Sequence, residues 1–194
     1  VDNANENGLK KYFIKFKNVK IIKSKYNSGQ SGGINLGFKN IKTRYAIYMD
    51  SDVSFKSSII DKFLSTAEKI KEFVILAPKH ERDFYKKDFI SNNNSKFLNL
   101  TLMKMVHGHF LFLNMKQVKR VGFFDDNFFL YFEETDFCLR AYRKNLKIYV
   151  LENTEVKHAG GWSVNIKNKL DIEANKHWHY MWSKFYFFKK NYST

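Results

Sequence analysis

The sequence has one cysteine, Cys138, in 194 residues. No intrachain disulfide can form, so the fold does not rest on an oxidising compartment. A zinc site built on several thiolates is excluded as well. One proline, Pro78, rules out a proline-rich linker. No apolar run approaches the roughly 20 residues of a membrane-crossing helix. No signal peptide is visible at the start, and a cytoplasmic location is the expectation. No internal repeat is found. Acidic residues are scarce: 19 against 34 Lys and Arg, a net charge of +15. The imbalance favours polyanionic partners, whether nucleic acid, an anionic membrane face or phosphorylated substrates, without choosing among them.

What is present points to a globular chain. Hydrophobic residues make up 44% and charged residues 27%, neither a disordered nor a membrane-spanning composition. The length suits one domain, 1–194, with a real core. Aromatics reach 18%, enough for a core and some ring-lined surface.

Residues 10–17 read as a surface helix and Val19-Lys20-Ile21-Ile22 as a strand. Asn27 to Gly33 is a turn-rich loop opening a short helix. Tyr45 to Met49 is a strand ending on Asp50-Ser51-Asp52. Ser57 or Ser58 is the expected cap of a helix carrying Ile59, Ile60, Phe63, Leu64, Ala67 and Ile70 at helical spacing. Phe73 to Ala77 follows as a strand. Strand, helix, strand implies α/β architecture with a mixed, mainly parallel sheet flanked by helices. Residues 79–96 form a polar excursion, and 102–113 return as strand around His107-Gly108-His109. Glu133 to Lys144 reads as helix, 147–150 and 154–156 as two short strands, and 171–194 as an aromatic and basic helical tail.

Three stretches carry chemistry. Asp50-Ser51-Asp52 follows an apolar strand, where residues two apart point the same way. Two carboxylates there can face one hard cation, Mg²⁺ or Mn²⁺, at the strand ends where open α/β sheets bind ligands. An acidic turn is the plain alternative. In the second, Gly122 to Arg140, an aromatic run leads into Glu133, Glu134 and Asp136. Acids suit a first helical turn, but burial beside rings raises a carboxylate's proton affinity and makes a general base. The third, His158-Ala159-Gly160-Gly161-Trp162-Ser163, sets a histidine before a glycine loop.

In this order, with Val1-Asp2-Asn3, Asn27 to Gly37 and Gly108, these pieces resemble the inverting glycosyltransferases of family 2, which have the GT-A fold. The bacterial rhamnosyltransferase-like branch is the most similar. The resemblance implies a nucleotide-diphosphate sugar donor, UDP- or dTDP-linked, and a glycan or lipid-linked acceptor in surface polysaccharide synthesis. It implies that Asp2 contacts the nucleotide base, that Asn27, Gly33, Asn35, Ser51 and Gly108 border the donor, and that Asp50, Asp52 and His158 hold the metal. Glu134 matches the catalytic base, with Glu133 and Asp136 positioning it or the acceptor; His107 and Trp162 are candidate acceptor contacts. Two departures stand out. The family's base is often aspartate rather than glutamate. Its members also carry a nucleotide-binding strand ahead of Val1-Asp2-Asn3, so the chain reads as N-terminally incomplete.

Cys138, between Phe137 and Leu139, reads as core. The stretch from Asn27 to Gly37 lacks the glycine-lysine pattern of a phosphate-binding loop. In the tail, Trp178, Trp182 and Phe185 share one helical face. Such a stripe packs on a core or, with lysines beside it, suits an anionic membrane surface. Two other functions stay open: a basic-aromatic nucleic-acid-binding module, and a GT-A-like interaction domain without catalysis.

Overall fold

In the computed structural model, which describes residues 1–3, 9–70, 72–79, 89–91, 99–159 and 169–193, the continuous apolar runs become strands. Two units form. One comprises Thr43–Phe123 and Glu134–Asn168; the other comprises Val1–Lys42, Phe124–Glu133 and Lys169–Thr194.

The unit built on Thr43–Phe123 contains a six-stranded sheet. Its strands are β1 (Tyr45–Met49), β3 (Ile75–Lys79), β4 (Phe89–Ser91), β5 (Leu100–Met103), β6 (Phe110–Asn114) and β7 (Ile148–Glu155), in the order β1-β6-β3-β7-β5-β4. Only β3 and β7 form a parallel ladder; the other pairings are antiparallel. The mainly parallel expectation therefore holds for direction, since β1, β3, β4 and β7 run one way, and fails for pairing. The reason is β6: Phe-Leu-Phe-Leu-Asn is buried throughout, so it takes a central place between β1 and β3. β1 is only half-buried and ends the sheet. Pro78 sits at a register shift at the end of β3, where a missing N–H is tolerated.

α3 (Ser58–Lys69) covers the sheet with the predicted apolar stripe. Ile59, Phe63 and Ala67 are buried with Phe73, Phe110 and Phe112, while Leu64 is exposed. The rings of Phe63 and Phe112 stack at 5.4 Å. The serine cap does not form: Ser57 has a helical backbone and makes no side-chain cap bond. The two strands expected at 147–150 and 154–156 are one, β7. A second, two-stranded sheet pairs β2 (Val53–Ser54) with β8 (Lys157–His158). α4 (Met115–Val121) follows β6, and α5 (Glu133–Arg143) carries the predicted acids. Cys138 is buried, as expected.

The other unit has no sheet among its described residues. α1 (Leu9–Phe13) is shorter than the expected 10–17 helix. Val19 to Ile22 is not a strand. A single parallel bridge joins Asp2 to Lys23, and one bridge does not make a strand. α2 (Gly29–Phe38) opens from the turn-rich loop, and α6 (Lys169–Tyr192) is the tail helix. Gly29 starts α2 at φ +70°, a left-handed backbone that glycine adopts without penalty. A Cβ there would also lie 2.3 Å from the Phe129 carbonyl oxygen. No described helix is long and apolar enough to cross a membrane.

Candidate active site and metal centre

Asp50, Asp52 and His158 converge. Each offers one ligand atom, and these atoms lie within 4.8 Å of one another. His158 Nε2 is 3.2 Å from an Asp52 oxygen and 3.7 Å from an Asp50 oxygen. Two ligands about 2.1 Å from one cation sit about 3.0 Å apart when adjacent and never beyond about 4.2 Å. Both histidine distances fall inside that limit, and the two carboxylates supply oxygen ligands of the kind a hard divalent cation takes. The three residues therefore form a candidate site for a divalent cation.

Two pieces of backbone bring them together. β1 ends at Met49, and the Val53 N–H donates to the Asp50 carbonyl at 3.2 Å, closing a turn over Ser51 and Asp52. The aspartates thus converge through a turn rather than through the strand alternation expected of them. Ser51 is exposed. β2 then pairs with β8, setting Val53 opposite His158, and the Ala159 N–H donates to the Asp52 carbonyl at 3.2 Å.

Two neighbours escaped sequence reasoning. The Tyr48 hydroxyl donates to Asp50 Oδ1 at 2.5 Å, fixing the rotamer of that carboxylate. The signal was available, because residues two apart at a strand end share a face. The His109 ring stacks on His158, centroids 5.1 Å apart and planes 9° from parallel. The Asp50 N–H donates to the His109 carbonyl at 2.9 Å. No local pattern announces that contact, because it depends on the pairing of β1 with β6.

Gly108 was expected on a strand against the donor. It lies in the turn before β6, and a Cβ there would meet the Glu134 side chain at 3.3 Å. Its lack of a side chain makes room for Glu134. His107 is half-buried in the same turn, its ring 6.1 Å from that of His109.

Glu134 is half-buried at the start of α5. Burial pushes its pKa above the usual carboxylate value, and the negative charge of Asp50 adds to the rise. Its own N–H and the N–H and hydroxyl of Thr135 oppose the shift without cancelling it. Glu133 is buried as the first residue of α5, where the helix dipole favours a carboxylate. Asp136 has no exposed side chain, and Arg140 Nε donates to it at 2.7 Å. Arg140 also donates to the carbonyls of Val121, Gly122 and Phe123. Asp136 therefore anchors α5, its carboxylate enclosed.

Of the expected donor-side residues, Asp2, Asn27, Gly33 and Asn35 lie in the unit built on Val1–Lys42. Asp2 is buried, its N–H bonded to the Ile22 carbonyl at 2.8 Å. Asn3, not singled out from sequence, holds the glycine-rich turn. Its amide donates to Asn27 Oδ1 and to the Gly29 carbonyl and accepts from the N–H and hydroxyl of Ser28. A Cβ on Gly33 would meet the Asn3 amide at 3.3 Å. Asn35 is buried. Its amide donates to the Phe124 carbonyl and to Asp126, and its oxygen accepts from the Phe124 N–H. With all three contacts made in a buried position, it ties α2 to 124–126. Trp162 lies outside the described residues.

The profile of Glycosyl transferase family 2 matches residues 1–137. The chain belongs to that family. A relative, the low-salt glycan biosynthesis hexosyltransferase of the archaeon Haloferax volcanii, is 23% identical over 171 residues, covering 76% of this chain and 54% of its own. The chain thus spans about half of that relative's length. Solved structures show the GT-A fold. GalNAc-T7 with UDP, GalNAc and Mn²⁺ superposes at TM-score 0.62 with 12% identity, over 81% of this chain and 36% of that one. The Pyrobaculum calidifontis mannosyltransferase with GDP-Man and Mn²⁺ gives 0.56 with 10% identity, over 74% and 40%. Staphylococcus aureus TarS 1-349 with UDP-GlcNAc gives 0.56 with 15% identity, over 80% and 47%.

Proposed function

We propose that this family 2 chain is the catalytic part of a metal-dependent, inverting glycosyltransferase. It would move a hexose or deoxyhexose from a nucleoside diphosphate to a hydroxyl of a glycan or lipid-linked acceptor. The observation that carries the reading is the convergence of Asp50, Asp52 and His158 with a half-buried Glu134 whose carboxylate feels the charge of Asp50. Relatives and structural neighbours named for hexosyl transfer, or solved with UDP, UDP-GlcNAc or GDP-Man, support a nucleotide-sugar donor. The sequence resemblance to the rhamnosyltransferase-like branch keeps rhamnose, galactose and galactofuranose as candidate sugars.

Asp50, Asp52 and His158 would hold Mn²⁺ or Mg²⁺, with Tyr48 and His109 fixing two of those side chains. Bound there, the ion would supply Lewis-acid neutralisation of charge on the departing diphosphate. Glu134 takes the proton of the acceptor hydroxyl as that oxygen bonds to the anomeric carbon. The bond from that carbon to the diphosphate breaks on the opposite side, so configuration inverts. The raised pKa of Glu134 brings its proton affinity closer to neutral pH, which favours general-base catalysis. Asp2, Asn27 and Gly33 are proposed as nucleotide-side residues, and Glu133 and His107 as supports of the base and acceptor.

The test is release of nucleoside diphosphate from a panel of UDP-, dTDP- and GDP-sugars with Mn²⁺ and simple glycoside acceptors, with product configuration read by NMR. Acceptor-dependent release with an inverted anomer is expected. Release that persists unchanged in Asp52→Asn and Glu134→Gln would overturn the assignment.

A further inference from the structure

α6 carries two apolar faces, and the fold uses one. The inner face packs on 124–132. The Ser183 hydroxyl, fully buried, donates to the Leu130 carbonyl at 2.8 Å. The His179 ring stacks on Phe129 at 4.6 Å, and Phe187 packs on Phe132 at 5.4 Å. Asp125 receives both the Tyr186 hydroxyl and the Lys190 ammonium. At 3.6 residues per turn, Trp178, Met181, Phe185, Phe188 and Tyr192 point roughly 180° from Ser183. Their exposures run from 50% to 62%. Trp182 stacks on Trp178 at 6.3 Å and widens this outer stripe.

We propose that the outer face of α6 docks the chain on an anionic lipid surface, with the helix lying in the plane of the interface. Three observations select that occupant. First, from His177 to Tyr192 there is no acidic residue, while Lys184 and Lys189 flank the stripe. Lys189 Nζ lies 5.9 Å over the Phe185 ring, so cation and ring form one surface. Second, the stripe is built of tryptophan, phenylalanine, tyrosine and methionine rather than leucine and isoleucine. Rings of this kind are enriched at headgroup level, with lysines reaching to the phosphates. Third, the net charge of +15 repels a second copy of the chain and attracts an anionic leaflet.

The proposal does not depend on the identity of the donor or of the acceptor. The test is co-sedimentation of the 194-residue chain with vesicles of phosphatidylcholine, with and without phosphatidylglycerol. Quenching of tryptophan fluorescence by brominated acyl chains reports depth. Binding to the anionic vesicles with quenching is expected. Lys184→Glu with Lys189→Glu should weaken it by more than about tenfold. Trp178→Ser with Phe185→Ser should abolish quenching, with the thermal melt unchanged because neither side chain faces 124–132. Wild type that stays in the supernatant, or binds no better than Trp178→Ser with Phe185→Ser, overturns the proposal. A concentration-dependent dimer in sedimentation velocity that those two substitutions dissolve, without vesicle binding, would assign the face to a second copy and overturn it too.

Discussion

The two units are held by different forces. The unit built on Thr43–Phe123 is organised by apolar burial: β6, β3 and α3 enclose stacked phenylalanines, and the cluster of Asp50, Asp52 and His158 sits on turns leading from the sheet. The unit built on Val1–Lys42 is organised by directed polar contacts. Asn3 holds a turn, Asn35 clamps 124–126, and Asp125 anchors α6. Tyr131 and Phe132 show what that second strategy must offset. Both adopt left-handed backbone, at φ 70° and 66°, which costs bulky residues on the order of 1–3 kcal/mol each. Their rings pack on Tyr180 and Phe187 of α6. An apolar core tolerates many sequences, whereas a clamp of single hydrogen bonds fails one residue at a time.

Substitutions should separate chemistry in one unit from stability in the other. The largest effect is expected for Glu134→Gln, which should slow transfer by about 10²–10⁴-fold, the range of a lost general base, while the melting temperature holds. In wild type the same group sets a pH dependence. Its pKa is raised, so the charged, proton-accepting form is lost as pH falls through a value above the usual carboxylate range. The turnover profile should therefore show an acid limb above pH 4.5 that Glu134→Gln removes.

Next comes Asn35→Ala. It leaves the Phe124 N–H and carbonyl without their side-chain partner. A loss of about 2–3 kcal/mol in chemical denaturation is expected, with Mn²⁺ affinity unchanged. Gly108→Ala should be milder and confined to turnover. Its Cβ meets Glu134 at 3.3 Å, so that side chain must move by a few tenths of an ångström. About tenfold slower transfer is expected from that misplacement.

The smallest effect concerns Asp125. Burial alone would raise its pKa, but Lys190, the Asn127 N–H and amide, and the Tyr186 hydroxyl together lower it to about 2. A depressed carboxylate stabilises the fold above its unfolded pKa, near 3.8, and loses that contribution as pH falls through about 2. The melting temperature of Asp125→Asn should therefore lie below wild type at neutral pH and converge with it between pH 4 and 2.

The same division decided what was legible beforehand. Helical spacing found α3 and α5, and the tail helix was readable, because these follow local periodicity. Asp50, Asp52 and His158 were found because motif order in the chain survives without knowledge of pairing. The insertion of β6 between β1 and β3 was not, since a ladder partner more than 60 residues away leaves no mark on the local pattern. Val19 to Ile22 had strand composition but found only a bridge at Lys23. His109 and Asn3 escaped for the same reason, as their roles exist only through contacts distant in sequence. The bonds of Asn35 to Phe124 and Asp126 left no mark in the sequence either, because they join residues about 90 positions apart.

The account rests most directly on the cation site. Free Mn²⁺ measured by electron paramagnetic resonance, during titration of wild type, Asp52→Asn, His158→Asn and Asn35→Ala, tests it without any assumption about donor or acceptor. One Mn²⁺ per chain is predicted for wild type and Asn35→Ala. Affinity should fall by at least about 10–100-fold in the other two, the loss seen when even an outer support of a metal site is removed. Equal binding by all four proteins would contradict it.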